Sequence, residues 1–439
     1  MQPHRPDVQP ASPSDFSVPR IAARTSGSSG FLFVNNHVRE YAMPAHDNFQ
    51  VTITLPGDKS VTLPGKPVTL PADAYFVWPF NMDLGGLHLR FATAQPLAIL
   101  GTKDAPVYAF FSQPGIPAEF VIDDTAGLTL DPQSILQHPL EVTHEGGELV
   151  LRQTGAIDNV YRGFMPVFKL LSGKVITILL LSENEALHSW KMTSKSGTLF
   201  VWTPQQAYVD GDHLTLENQN LGDGSRPFGP DVTHIVIPFD IGLLMPLDAT
   251  GHETMDLHSL EEASKMASLN RAPPVVVPLA FQQTKAADAP APLPAGFAPS
   301  SRPRVVAAAP IDADWSRAAT YSIPLPKYAL IDTPAEQHFL RITYTGDIAR
   351  ISVNGRLLDD NFADGRPWLI GLDRFAPQIT QSGGKLDFSI YPLRANAPIF
   401  FESGNEPKPG TPPAALQSVE LLTQYTLRLK LEPLTPQKK

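Results

Sequence analysis

Apolar and polar residues alternate with a period of two along much of this 439-residue chain. The clearest stretches are residues 49–55, 87–91, 338–344 and 425–431. This alternation is typical of strands that bury one face, and Pro, Gly or Asn-Gly turn signals bound many of the stretches. Strand signals recur at spacings of about 8–12 residues. The pattern therefore predicts antiparallel sandwiches and not parallel βαβ units.

The same pattern predicts a mainly β fold. Its domains are tandem antiparallel β-sandwiches or jelly rolls, with one short helix and a proline-rich linker. Ser259 and Glu262 have the spacing of a capping box and predict that helix, which Asn270 can end. Asn354-Gly355 predicts a hairpin turn near the end of the chain. The predicted divisions are a disordered tail or connector over 1–28, a first β-domain over 29–139, a smaller β-domain over 140–250, the helix and an Ala/Pro-rich linker over 251–310, a jelly roll over 311–434, and a tail over 435–439.

Composition narrows the function classes. Proline accounts for 45 of 439 residues, about twice the usual ~5%, which disfavours a mainly helical protein. The absence of cysteine excludes disulfides, thiol nucleophiles and iron–sulfur clusters. A net charge of −10 argues against a general nucleic-acid partner. No apolar run approaches the ~18 residues of a membrane-spanning helix, and the first residues lack a signal-peptide core, so neither membrane insertion nor a signal peptide is predicted.

Several segments, taken in order, resemble glycoside hydrolase family 35 β-galactosidases. The run Ser29-Gly-Phe-Leu-Phe-Val-Asn-Asn-His-Val-Arg39 resembles the β-domain that follows the catalytic barrel, and residues 49–55, 87–95 and 108–115 continue that match. The stretch 173–190 is similar to the next small β-domain of the family. The motifs at 344–350, 353–355 and 360–368 resemble its C-terminal galactose-binding-type jelly roll. The resemblance covers most of residues 28–432.

This resemblance implies a non-catalytic role. Family members carry both catalytic glutamates on a (β/α)8 barrel, which needs roughly 250 residues, and no position in this sequence matches their motifs. We therefore predict no catalytic residue, no metal and no cofactor, and we expect the chain alone to be inactive. Its expected partner is a catalytic barrel in cis or in trans. The localisation is left open, although the parent enzyme is expected to be periplasmic or secreted.

Polar residues after the Asn-Gly turn form the predicted carbohydrate site. Planar polar groups and an aromatic platform are the features that recognise sugars. The alternative interpretation is a polar loop with Trp368 and Phe362 packed in the core, or a loop that docks another domain. The proposed sugar-binding residues are Asp359, Asn361, Asp364, Arg366 and Trp368.

Other polar and aromatic groups have structural roles as their favoured interpretation. Glu183 and Glu185 would share a face of an extended chain, but a solvated strand end or turn is the favoured interpretation. His252-Glu253 and His258 lack the spacing of a zinc-protease motif. A second polar group is assigned an interdomain or structural role, and it comprises Asn35, Asn36, His37, Arg39, Asp47 and Asn48. The aromatic residues expected in the first core are Phe31, Phe33, Phe76, Trp78 and Phe80.

Two functions follow from these observations. The first is an accessory part of a β-galactosidase-like glycoside hydrolase that supports the barrel and contacts β-galactosides. The alternative is a stand-alone, lectin-like carbohydrate-binding protein that uses the C-terminal jelly roll. A β-galactoside or another glycan is the expected ligand in both cases.

Overall fold

The structure is a computed structural model. It describes residues 2–39, 41–57, 59–125, 127–135, 139–155, 166–195, 197–202, 206–211, 213–217, 234–236, 241–247, 251–255, 275–290, 309–331, 336–394, 397, 399, 401 and 404–433. The helix predicted near residues 259–270 lies outside this described part. The fold is mainly β, as predicted.

The first 15 strands belong to one sandwich. Their bounds are β1 Gln2–His4, β2 Arg20–Ser26, β3 Ser29–Asn35, β4 His46–Leu55, β5 Lys59–Leu70, β6 Tyr75–Asp83, β7 His88–Ala92, β8 Ala94–Gly101, β9 Pro106–Ser112, β10 Glu119–Asp123, β11 Thr129–Leu130, β12 Leu140–Glu145, β13 Glu148–Gln153, β14 Val167–Lys169 and β15 Val175–Leu181. A 3₁₀ turn spans Pro132–Ser134.

This first sandwich has three layers. The central layer is an eight-stranded antiparallel sheet in the order β1-β2-β3-β6-β7-β10-β13-β12. A five-stranded sheet, β11-β14-β15-β9-β8, packs on one face, and the β4–β5 hairpin packs on the other. Strands β15 and β9 are parallel, which differs from the wholly antiparallel pattern predicted.

Strand β10 lies where both faces of the central sheet are covered. Phe120 and Ile122 point into the core shared with the five-stranded sheet. Val121, between them, points into the core under the hairpin. Successive side chains of a strand face opposite sides, so a strand covered on both faces is apolar at consecutive positions.

The middle of the chain forms smaller sheets. The elements here are α1 Glu183–Leu187, β16 Ser189–Ser194, β17 Gly197–Trp202, β18 Gln206–Asp210, β19 His213–Glu217, β20 His234–Val236, β21 Ile241–Leu247 and β22 Gly251–Met255. Strands β16, β17 and β20 form one three-stranded antiparallel sheet.

The C-terminal part is a second sandwich. Its elements are β23 Val275–Pro278, β24 Gln282–Lys285, β25 Ala319–Pro324, β26 Glu336–Thr345, β27 Ile348–Val353, β28 Arg356–Phe362, β29 Trp368–Gly371, α2 Ala376–Gln381, β30 Lys385–Tyr391 and β31 Ala415–Pro433, with 3₁₀ turns at Asp312–Arg317, Lys327–Leu330 and Asp373–Phe375. Strands β24-β25-β30-β27-β28 form one layer. Strands β23, β31, β26 and β29 form the other, and an apolar core lies between them.

The turn between β27 and β28 is the one that the sequence predicts. Asn354 and Gly355 both have positive φ, +49° and +78°. Two consecutive positive φ values give the backbone twist that suits a two-residue hairpin.

Two features differ from the predicted linker and domain layout. Residues 275–278 and 282–285, predicted within the linker, are strands β23 and β24 of the second sandwich. In β23, the three consecutive valines at 275–277 favour a strand, and this preference outweighs the effect of the surrounding prolines. The 19-residue strand β31 pairs with β26 through its first half and with β19 and β21 through its second half. This one strand therefore serves both the middle sheets and the C-terminal sandwich.

Candidate functional site

The residues predicted to bind sugar lie along the edge strand β28 and the loop after it. Asp359 forms an ion pair with Arg374. The Asn361 side-chain amide donates to the Tyr344 hydroxyl at 2.8 Å, and that hydroxyl donates to the Asn361 carbonyl at 3.2 Å. Burial raises the pKa of Tyr344, with hydrogen bonding to Asn361 opposing it. Asp359 and Asn361 therefore already have partners in the C-terminal sandwich, an exposed one for Asp359 and a part-buried one for Asn361.

The remaining members of that predicted site behave similarly. Asp364 accepts a hydrogen bond from the backbone N–H of Arg366 at 2.9 Å. Trp368 packs against the core with its ring centroid 6.2 Å from that of Phe388. Phe362, by contrast, is 64% exposed. The structure thus brings Asp364 and Arg366 together but distributes the five residues among separate contacts, and sugar binding by them stays a prediction.

Glu183 and Glu185 lie on helix α1, and the expectation of a strand end or turn is corrected. Ser182 caps the helix, and its backbone N–H and hydroxyl donate to the Glu185 carboxylate at 2.7 and 2.9 Å. Burial raises the pKa of Glu185, and the hydrogen bonds from Ser182 oppose this. Glu185 closes a capping box, so it serves the helix start.

The second polar group splits into a buried part and an exposed part. Asn36 is fully buried, and its side-chain amide donates to the carbonyls of Pro44 and Pro71 at 2.8 and 2.9 Å. This confirms a structural role for Asn36. Asn35 and His37, on either side, are exposed. They border a groove on the central sheet.

This groove, which we call the aromatic groove, has a volume of about 580 Å³. Strand pairing sets its floor in rows across β2, β3 and β6. One row contains Arg20, Asn35 and Tyr75, and the next contains Ala22, Phe33 and Val77. Tyr75 is 63% exposed and Phe33 is 38% exposed. The prediction that Phe33 lies in the core is therefore wrong, because its neighbours Leu32 and Val34 take the buried face.

Fixed polar groups surround the two aromatic rings. The Gln95 side-chain carbonyl accepts from the Val77 N–H at 3.0 Å, which holds this amide against the edge of β6. The His37 ring centroid lies 6.0 Å from that of Tyr75. His37 Nδ1 lies 3.5 Å from Asp73 Oδ1, so the imidazole is oriented by a carboxylate.

Three polar atoms in the groove are available to a ligand. Asn35 accepts from the His37 N–H through Oδ1 at 2.8 Å. Within the described part of the chain, Asn35 Nδ2, His37 Nε2 and the Tyr75 hydroxyl form no hydrogen bond. The groove therefore combines exposed aromatic surface with donors and acceptors that have no protein partner there.

Sequence reasoning missed Tyr75, Arg20 and Gln95 as site residues. The signal was present in the alternation itself. Phe76 and Trp78 are buried, so the intervening positions 75 and 77 must face the opposite side of the sheet. What the sequence did not show is how far the covering sheet extends over that side.

Two further observations concern the described residues only. They contain no group of three or more His, Asp or Glu side chains arranged to hold a metal ion. Their helices are all too short or too polar to cross a membrane.

Comparisons with known proteins leave the family open. No family model matches the chain, and no curated protein matches it, so membership of glycoside hydrolase family 35 is not shown. Among solved structures, one similar chain is the Bacteroides ovatus mixed-linkage glucan utilization locus SGBP-B in complex with a mixed-linkage heptasaccharide. It shares 9% identity, covering 70% of this chain and 72% of that one, with a TM-score of 0.18. This TM-score is too low to support a conclusion about fold or ligand.

Proposed function

We propose that this protein is a non-catalytic carbohydrate-binding β-protein that binds a glycan in the aromatic groove. The observation that carries the proposal is that exposed Tyr75 and Phe33 lie beside three polar atoms that form no hydrogen bond with the described residues. Binding sites combine apolar and aromatic walls with a few well-placed polar groups. A sugar ring presents C–H groups on its face and hydroxyls around its edge, which fits this arrangement.

The groove favours binding over hydrolysis. Most glycoside hydrolases use two carboxylates roughly 5–9.5 Å apart across the scissile bond. The residues that line the aromatic groove include neither aspartate nor glutamate. Asp73, beside the groove, is paired with His37.

Calorimetric titration of the intact chain with galactose, β-galactosides and β-glucan oligosaccharides tests the proposal. We expect binding of at least one of these sugars, and we expect Tyr75→Ala to weaken it tenfold or more. A tenfold loss corresponds to about 1.4 kcal/mol, and removing an exposed side chain of this size from water contributes roughly 1.5–3 kcal/mol. Tyr328→Ala is the matched control, since Tyr328 is 48% exposed on the second sandwich. Equal losses in both variants, or no heat with any sugar, would count against the proposal.

A second candidate function is the accessory one. The family 35 resemblance, which covers most of residues 28–432, is the ground for a chain that supports a β-galactosidase barrel supplied in cis or in trans. A galactoside turnover assay of the chain alone and with such a barrel distinguishes the two. Stimulation of the barrel with no sugar binding by the chain alone would favour the accessory function.

A further inference from the structure

A second pocket continues the aromatic groove along the same sheet face. Its volume is about 660 Å³, and it lies where β3 and β6 approach the edge strand β8 and strand β9. We call it the apolar pocket. Its walls are mostly hydrocarbon and include Phe31, Pro79, Ile99, Tyr108, Phe110 and Phe200.

Strand geometry places the pocket and the groove end to end. Phe31 precedes Phe33 by two positions along β3, and its antiparallel partner Pro79 follows Val77 by two positions along β6. Side chains two apart on a strand share a face and lie roughly 6–7 Å apart along it. On the opposite wall, Gln95 borders the groove and Pro96 borders the pocket. A ligand in the groove can therefore extend into the pocket without crossing a strand.

The pocket and the groove differ in chemistry. Phe110 and Phe200 are almost completely buried beneath the pocket, whereas Ile99 is 59% exposed at its mouth. The Lys191 ammonium at the rim donates to the Ile99 carbonyl at 2.8 Å. Burial, followed by the nearby Asp83 charge, raises the pKa of Tyr108, so its hydroxyl stays neutral. The pocket thus offers mostly apolar surface, with Asp83, Ser189 and Lys191 also in its lining, and the polar atoms that form no hydrogen bond with the described residues lie in the groove.

We infer that the ligand is an amphipathic glycoside, with its sugar in the aromatic groove and an alkyl or aryl aglycone in the apolar pocket. This inference rests on the proposed function of the groove. A purely hydroxylated oligosaccharide would leave the apolar walls facing sugar hydroxyls that they cannot satisfy. An alkyl chain removes those walls from water instead, and burial of apolar surface is favourable in proportion to its area.

Matched glycosides provide the test. The intact chain is titrated with methyl, phenyl and octyl β-galactosides and the corresponding β-glucosides, each below its micelle-forming concentration, with octanol as the alkyl control. We expect the phenyl and octyl glycosides of the bound sugar to bind at least tenfold more tightly than the methyl glycoside. Octanol alone is expected to bind at least tenfold more weakly than the octyl glycoside.

Substitutions test whether the tighter binding of the octyl glycoside comes from the apolar pocket. Ile99→Gln places a polar amide at the mouth, and we expect it to reduce the octyl gain at least threefold while leaving methyl glycoside affinity unchanged. Leu357→Gln is the matched control, since Leu357 is 48% exposed on the distant strand β28. Thermal unfolding of both variants checks that they fold. An octyl gain that Ile99→Gln leaves intact would overturn the inference.

The outcomes separate the two proposals. If the methyl glycoside binds and the octyl and phenyl forms bind no better, the apolar-pocket inference fails and glycan binding stands. If no glycoside binds at any aglycone length, the proposed function fails and the inference fails with it.

Discussion

The two sandwiches differ in how their sheets cover one another. In the first, an eight-stranded sheet faces a five-stranded one, and the end formed by β2, β3 and β6 extends beyond the covering layer with Tyr75 and Phe33 exposed. In the C-terminal sandwich, polar residues that look free in sequence have partners, as Asn361 has in Tyr344. The comparison teaches that sheet overlap, more than local polarity, decides which side chains of this protein are left uncovered.

The largest expected effect is on the free energy of unfolding, and it comes from comparing one ion pair of each sandwich. Glu119 is buried and accepts from Arg152 at 2.6 Å and from the Gly65 N–H of the hairpin at 2.8 Å. Glu119→Ala removes the nearer carboxylate of Arg152, which keeps Glu141 at 3.9 Å, and also the acceptor of the Gly65 N–H, so we expect a loss of about 3 kcal/mol in the free energy of unfolding. In the Arg341–Glu420 pair, at 2.7 Å, the carboxylate is more exposed, 26% against 6% for Glu119. For Glu420→Ala we expect a loss of about 1 kcal/mol.

Urea unfolding monitored by circular dichroism measures both losses. Glu119→Gln, which keeps the shape but not the charge, is the control for packing. The structure implies that Glu119 stabilises the β4–β5 hairpin, and equal losses for Glu119→Ala and Glu420→Ala would contradict this.

Two tyrosine substitutions, one in each sandwich, are expected to have smaller effects on stability. Tyr344→Phe removes the hydroxyl that joins β26 to Asn361, and we expect a loss of about 0.5–1.5 kcal/mol in unfolding free energy. Tyr75→Phe removes a hydroxyl with no hydrogen bond in the described part of the chain, so we expect a change within ±0.5 kcal/mol. Thermal and urea unfolding of the two variants gives the result. A larger loss for Tyr75→Phe than for Tyr344→Phe would contradict the assignment of the Tyr344 hydroxyl as hydrogen-bonded and of the Tyr75 hydroxyl as available to a ligand.

The smallest expected effect is a pH dependence in the C-terminal sandwich. Burial raises the pKa of Asp347, with the Arg394 charge opposing it. A carboxyl with a raised pKa favours its neutral form when folded, so its contribution to stability is present at low pH and is lost as pH rises through the folded pKa. We therefore expect Asp347→Asn to gain stability relative to the native chain as pH rises from about 4 toward 7. Melting temperatures measured across this range test the sign, and a constant difference would contradict it.

Alternation predicted most of the regular structure. Stretches such as 49–55 and 338–344 are strands, and Asn354-Gly355 makes the hairpin turn. Local pattern could not show that β31 pairs with two different sheets or that β15 runs parallel to β9, since both depend on contacts distant in sequence. It also missed helix α1, because five residues are too few for a helical period to show.

The site was less accessible to sequence reasoning than the fold. The polar residues at 359–366 attracted attention because they cluster in sequence. In the structure they are divided among Arg374, Tyr344 and a local turn. The groove residues Arg20, Asn35 and Tyr75 come from three separate strands and meet only through strand register.

The most direct test of the central claim compares Tyr75→Ala with the double variant Asp364→Ala/Arg366→Ala by titration with the sugar that the native chain binds. All three substitutions are at exposed positions, so folding is expected to survive in both proteins. We predict that Tyr75→Ala weakens sugar binding at least tenfold and that the double variant binds as the native chain does. Loss of binding in the double variant with retention in Tyr75→Ala would contradict the account and move the site to the C-terminal sandwich.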